Sequence, residues 1–299
     1  MKTKINNAIK KSAVPIDEIF LFREMAKEFN NSKISKCTYV EEIHGQKGMV
    51  NFPSMYKIGG IAKVELGDLL LLTFDKATNQ LRICILQAKY EKKKYSRFLD
   101  FKANLFQWEL LLNKPNITDK SSFNFPPNIL NFRDDYYSIT AYGIFYHDNV
   151  SGEVDFLYTL PRYMVPCSYP TKLYSTRRGV RKFEFNCPTA PDETCRMGFL
   201  ENETISTCCI DTFEKQVLSC RIGAPIDATI YSYIISLLKH MKSRADDAMV
   251  IDELLRSIGS DNYRDNYMQT GFPEAYPSAL IVITDSSCFK DDCNEMLGW

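Results

Sequence analysis

Glu65-Leu66-Gly67-Asp68-Leu69-Leu70-Leu71-Leu72 and Ile83-Cys84-Ile85-Leu86-Gln87-Ala88-Lys89 decide the fold of this chain. Both runs are apolar, too short for a typical helix, and separated by the polar turn Asp75-Lys76-Ala77-Thr78-Asn79. The second is β-branched and apolar on both faces, so the two read as neighbouring strands of a buried sheet, joined as a hairpin. Residues two apart in a strand share a face, which sends Gln87 and Lys89 one way and Ala88 the other. Asp68, at the start of the first strand, is brought towards that pair by the hairpin. An acid, a carboxamide and an amine converging on one sheet face make a poor hydrophobic core and a reasonable site for a divalent cation and a phosphate.

Outward from this pair, Ile19, Phe20, Phe22, Met25, Ala26 and Phe29 recur at close to helical spacing behind Pro15 and Asp17. That predicts a helix from Ile16 to Phe29. Residues 1–12 are basic and polar and read as frayed. A short strand is expected at Tyr39-Val40, Ile61 to Phe74 and Leu81 to Tyr90 are the opening pair, and Glu91 to Tyr95 is a charged link. Phe98, Phe101, Leu105, Trp108, Leu111 and Leu112 predict a helix over Phe98 to Asn113, with Pro115 beyond its end. Tyr137 to Tyr146 reads as a strand, with Phe156 to Tyr158 as a hairpin partner.

Residues 161–225 change character, with repeated prolines and six of the ten cysteines. They predict a loop-rich insertion with short strands near Lys182 to Phe185 and Gln216 to Arg221. Helices follow at Ile226 to Met241 and Ala245 to Ile258, the second stopped by Gly259. Ser278 to Asp285 is a strand so apolar that it needs cover on both faces. It is expected to join the sheet of the N-terminal half. The organisation is therefore a core over residues 1–160, an insertion over 161–225, and helices and a strand over 226–299 that pack back on the core.

The formal net charge is zero, which excludes broad electrostatic attraction to nucleic acid or membrane and leaves only local patches. Hydrophobic content of 45% and charged content of 25% exclude global disorder. The first 29 residues lack an apolar core of signal-peptide type, because Asp17, Glu18, Arg23 and Glu24 interrupt it. No stretch approaches the roughly 18 apolar residues of a spanning helix. A cytoplasmic protein with reduced thiols and no membrane partner is expected.

At Gly67-Asp68 and Gln87-Ala88-Lys89 the sequence resembles the PD-(D/E)xK, or restriction-endonuclease-like, nuclease superfamily. The resemblance covers roughly residues 16–146. It implies an α/β fold with an αβββαβ core and a mixed sheet, here with a loop-rich cysteine-containing insertion and C-terminal helices. Gln87 stands where the commonest form has Glu or Asp. Gln-x-Lys variants form a recognised branch that includes effector nucleases of bacterial defence systems, and the spacing of Glu65 and Asp68 is similar to that branch. The resemblance implies Asp68, Gln87, Lys89 and Glu65 as catalytic residues and a Mg²⁺ cofactor, with Mn²⁺ as a substitute.

Chemically, Asp68 offers carboxylate oxygens, Gln87 an amide oxygen and Ala88 a carbonyl, the hard donors that Mg²⁺ prefers. Lys89 orients the attacking water or holds the scissile phosphate. Gln87 removes one negative charge, so a further acid is needed, with Glu65, Glu28 and Glu24 as candidates. Lys92, Lys93, Lys94 and Arg97 follow the triplet and are either phosphate contacts or a solvated link. Arg177, Arg178 and Arg181 form a second basic cluster beside Tyr174 and Phe183. Lys102 and Gln107 on the predicted helix are candidates to face the cleft. Cys187, Cys195, Cys208 and Cys209 lack the C-x-x-C spacing of the usual zinc sites, and His147 reads as a loop-surface residue.

Three functions stay open on these grounds. The first is a Mg²⁺-dependent endonuclease, on DNA before RNA, in a bacterial anti-phage defence or restriction system. The second is a catalytically weak or inactive relative that keeps the fold and binds nucleic acid or a partner protein. The third is a docking subunit. With no Walker motif, even an active enzyme is expected to rely on a partner protein, a motor or sensor, or on self-association.

Overall fold

The computed structural model describes residues 1–41, 48–95, 101–119, 124–133, 137–168, 173–174, 179–185, 199–200, 203–204, 206–207, 209–259 and 278–289. Its helices are α1 (Lys2–Lys11), α2 (Glu18–Asn30), α3 (Leu105–Asn113), α4 (Ile210–Leu218), α5 (Ala228–Met241) and α6 (Ala248–Ser257). Its strands are β1 (Ser35–Val40), β2 (Met49–Pro53), β3 (Ile61–Glu65), β4 (Leu69–Asp75), β5 (Gln80–Tyr95), β6 (Phe101–Asn104), β7 (Thr118–Asp119), β8 (Thr140–Asp148) and β9 (Val154–Thr159). They continue with β10 (Met164–Pro166), β11 (Val180–Phe185), β12 (Phe199–Leu200), β13 (Glu203–Thr204), β14 (Ser206–Thr207), β15 (Ala224–Pro225) and β16 (Ser278–Thr284).

The main sheet is mixed, in the order β1-β16-β4-β5-β8-β9-β14, with β15 also paired to β5. β4 and β5 are antiparallel, and Leu69 faces Leu86 while Leu72 faces Ile83. β16 runs parallel to β4, and β8 runs parallel to β5. The C-terminal strand thus joins the N-terminal sheet, as its apolar composition requires, and it lies between β1 and β4. Alternation then sorts the core. Leu70, Leu72, Ile83, Ile85, Tyr142 and Ile281 pack with α3, α5 and α6 on one face. Leu69, Leu71, Cys84, Leu86, Phe145 and Val282 pack with α1, α2 and α4 on the other.

Several elements differ from the sequence expectation. Ile61 to Phe74 is two strands rather than one. β3 pairs with β2 in a side sheet completed by β7, and Leu66-Gly67-Asp68 carries the chain across into β4. The charged link after Tyr90 continues as β5, with a register shift between Glu91 and Lys94. The helix expected from Phe98 begins at Leu105, where Asn104 Oδ1 accepts from the Phe106 N–H at 3.0 Å. Before it, Phe101 and Ala103 are buried and Lys102 exposed, a strand alternation that pairs β6 with β11. Residues 98–100 lie outside the described residues.

Gln216 to Arg221 is not a strand. Ile210, Phe213 and Val217 are buried at helical spacing, and Phe213 of α4 packs on the Phe156 and Tyr158 rings of β9. The N-terminal residues form α1 because tertiary partners hold them. Asn6 both donates to the Val154 carbonyl and accepts from its N–H, each at 2.8 Å, and Lys2 pairs with Asp155 at 2.7 Å. α2 starts at Glu18, two residues after the expected Ile16, with Asp17 as its cap accepting from the Phe20 N–H at 2.8 Å.

Candidate active site

Asp68 is positioned by the edge-on meeting of β4 and β5. Its N–H donates to the Leu86 carbonyl at 3.0 Å, and its Oδ2 accepts from the Ala88 N–H at 3.0 Å. Gly67 makes this possible. A Cβ there would lie 2.7 Å from Ile85 Cγ2 and 3.3 Å from the Leu86 carbonyl oxygen, so a side chain would push the crossing away from β5. The Gly-Asp pair is therefore a close-approach device as well as a source of charge.

Gln87 is buried and its amide is fully engaged. Its Nε2 donates to Asp68 Oδ2 and, at 3.3 Å, to the Ala88 carbonyl. Its Oε1 accepts from Gln107 Nε2 on α3, which also donates to the Glu65 carbonyl at 3.1 Å. Gln107 faces the site, while Lys102 is exposed on β6. Lys89 is half-buried one residue beyond Ala88, with no hydrogen bond or ion pair among the described residues, and its charge acts on Asp68.

The electrostatics are those of a site short of positive charge. Burial pushes the Asp68 carboxyl up to about 7, and the neighbouring Glu65 charge adds to this. Lys89 and the Ala88 N–H pull it down, and Glu18 pushes it up again. Glu18, on the first turn of α2, lines a cleft of about 270 Å³ with Glu41, Tyr39, Phe22, Ala88 and Asp68. Its Oε1 accepts from the Tyr90 N–H at 2.9 Å.

The helix acids named from the sequence lie elsewhere. Glu28 pairs with Lys4 of α1 at 2.9 Å, and Glu24 pairs with Lys27 at 2.5 Å. Ten helical residues separate Glu28 from Glu18, about 15 Å along the axis, so Glu28 does not serve the Asp68 site. Glu18 is the acid that sequence reasoning passed over. Its position next to the Asp17 cap marked the helix start, but no periodicity says which turn of a helix meets the polar end of a sheet. His147 is also better placed than a loop-surface residue. Its Nδ1 faces the Gly152 carbonyl at 3.2 Å and so carries the proton, which leaves Nε2 to accept from the Tyr90 hydroxyl at 2.9 Å.

The basic candidates are only partly placed. Lys92 is exposed on β5, where Lys93 and Lys94 also lie. Arg97, Arg177 and Arg178 lie outside the described residues. Arg181 is on β11 of the side sheet β10-β11-β6, with its guanidinium 4.1 Å from the centre of the Tyr174 ring. Cys187, Cys195 and Cys208 lie outside the described residues, and Cys209 Sγ contacts Thr212 Oγ1 at 2.8 Å.

The donor chemistry suits a hard cation, since Asp68 and the Ala88 carbonyl present oxygens to one point and Gln87 has an oxygen to add. As it stands, however, Gln87 turns its NH₂ to that point. Among the described residues no three His, Cys, Asp or Glu side chains converge as a ligand set, and no helix is long and apolar enough to cross a membrane. No protein-family model, curated protein or solved structure matches this chain.

Proposed function

We propose that this chain is a Mg²⁺-dependent endonuclease that hydrolyses phosphodiester bonds of nucleic acid, DNA in the first instance. The observation that carries the reading is the convergence of Asp68, Gln87, Ala88 and Lys89, with Lys89 left without an ion pair among the described residues beside an acid held near 7. The element order supports it. α2, β1, β4, β5, α3 and β8 follow one another as the helix, three strands, helix and strand of a restriction-endonuclease-like core, with a β2–β3 hairpin and β6 inserted and β16 added between β1 and β4. The Gln-x-Lys resemblance favours a bacterial anti-phage defence or restriction enzyme, acting in the cytoplasm under control of a partner protein.

On this reading Asp68, the Ala88 carbonyl and Gln87 hold the Mg²⁺, with Glu65 and Glu18 adding negative charge around it. Bound there, the cation would supply Lewis acidity for phosphodiester hydrolysis. Lys89, a point charge on a flexible stem, would hold the scissile phosphate in the site. Lys92, exposed on β5, extends the positive path for the backbone on one side of the cut. The test is cleavage of supercoiled, linear and single-stranded substrates in Mg²⁺ or Mn²⁺, with Lys89→Ala as control. Unchanged cutting by that variant sinks the assignment.

A second reading is a nuclease-fold subunit that binds nucleic acid or a partner without cutting. The amide NH₂ of Gln87 between Asp68 and the Ala88 carbonyl favours it, because a partial positive charge already serves those oxygens. Retention of nucleic acid without cleavage in either metal would select it.

A further inference from the structure

Tyr142 on β8 is opposite Gln87 in the register of the parallel β5–β8 pair, and the two side chains share the α3 face of the sheet. Its ring is fully buried, and its hydroxyl has no hydrogen-bond partner among the described residues. An orphaned buried hydroxyl costs stability in this state, and a partner in another state of the protein would account for its presence. Burial pushes the phenol upward, and the group is close enough to Asp68 for that charge to add to the shift. The Gln87 amide bridges Asp68, the Ala88 carbonyl and Gln107, and Gln107 bridges Gln87 and the Glu65 carbonyl.

This arrangement suits the cation-free protein only. For Gln87 to offer Oε1 to a cation held by Asp68 and Ala88, the amide must turn over, and its NH₂ then meets the NH₂ of Gln107. Two donors face each other, and one needs a new acceptor. Among the described residues, the buried acceptor on that face without a partner is the Tyr142 hydroxyl.

We propose that Tyr142 is a positioning residue for the cation-loaded site, its hydroxyl accepting the amide N–H that is displaced when Gln87 turns its oxygen to the metal. The inference rests on the reading of Asp68 and Gln87 as cation ligands. Gln87 is then a two-position ligand whose NH₂ takes the place of the cation when none is bound. Tyr142 and Gln107 decide the balance between the two positions.

Mn²⁺ binding by calorimetry, with thermal melts in the presence and absence of Mn²⁺, tests this on the full chain without any substrate. Tyr142→Phe is expected to leave the cation-free melting temperature unchanged or slightly raised, and to weaken Mn²⁺ binding roughly five- to ten-fold, the worth of one hydrogen bond. In a Gln87→Glu background there is no amide to turn, so Tyr142→Phe is expected to change Mn²⁺ affinity less than two-fold, a coupling measured by the double-mutant cycle (roughly). If wild type binds no Mn²⁺, the cation reading falls and the role of Tyr142 with it. If wild type binds and Tyr142→Phe binds equally well, the role of Tyr142 alone is overturned. It is overturned too if the variant is destabilised or unfolded without cation, or if its effect is as large with Glu at position 87.

Discussion

The Ala88 N–H and Asp68 Oδ2 are 3.0 Å apart, a contact that ties the acid to the backbone of the next strand while burial holds its carboxyl near 7. An aspartate raised from 3.8 to about 7 keeps its proton longer in the folded chain than in the unfolded one. Its contribution to stability is therefore complete below about pH 4 and is lost as pH rises through 7. Cation-free protein should show a falling melting temperature over that window. Asp68→Asn should flatten the fall and be the more stable chain at pH 8, measured by thermal melts in a chelator. Cation binding has the opposite slope, because the ligand must lose its proton, and Mn²⁺ affinity should weaken as pH drops below 7.

Lys89 has no ion pair among the described residues, so its removal should leave the fold intact. Lys89→Ala is expected to lower Mg²⁺-dependent cleavage by roughly 100-fold or more, the usual loss for a charge aimed at a transition state. It also removes the cation that holds Asp68 down. The stability–pH curve of the variant should shift to higher pH than that of wild type.

Gly67→Ala should be far more damaging than its size suggests. The added Cβ meets Ile85 Cγ2 at 2.7 Å in a strand that cannot retreat, because β8 and β15 pair with β5. The expected loss is about 1–3 kcal/mol, the range for overpacking a core, read from the urea midpoint. Asp68 moves with the crossing, so the variant should also lose Mn²⁺ binding in conditions where it remains folded.

Glu18 and Glu28 stand on the same helix and should behave oppositely. Glu18→Gln removes a charge that reaches Asp68, so Asp68 should ionise at a lower pH and Mn²⁺ binding should weaken. Glu28→Gln breaks a pair with the exposed Lys4 and should change stability by less than about 1 kcal/mol and Mn²⁺ affinity not at all. Equal effects of the two substitutions on Mn²⁺ affinity would remove Glu18 from the site.

The pairing of Leu69–Asp75 with Gln80–Tyr95 was legible because short apolar runs around a polar turn have few other solutions, and strand alternation then put Gln87 and Lys89 together. The place of Ser278–Thr284 in the same sheet was legible in kind, since an apolar strand must be covered, but its slot between β1 and β4 was not. The helix at Leu105 was read as starting early because Phe98 and Phe101 fit a helical stripe. The pairing of Phe101–Asn104 with β11, some 80 residues later, overrode that local signal.

By itself, the sequence determined the polar ends of the two central strands, the helix start at Asp17, and the kind of oxygen donors gathered near Asp68. These depend on spacing, turn chemistry and residue type, which are local. Tertiary structure decided which acid joins them. Glu18 rather than Glu28 is near because the first turn of α2 packs against the polar end of the sheet. It also decided that α1 is ordered, through Asn6 on Val154, and that the Gln87 amide is clasped by Gln107. Such contacts are set by how helices dock on a sheet, and no periodicity within a single segment records that.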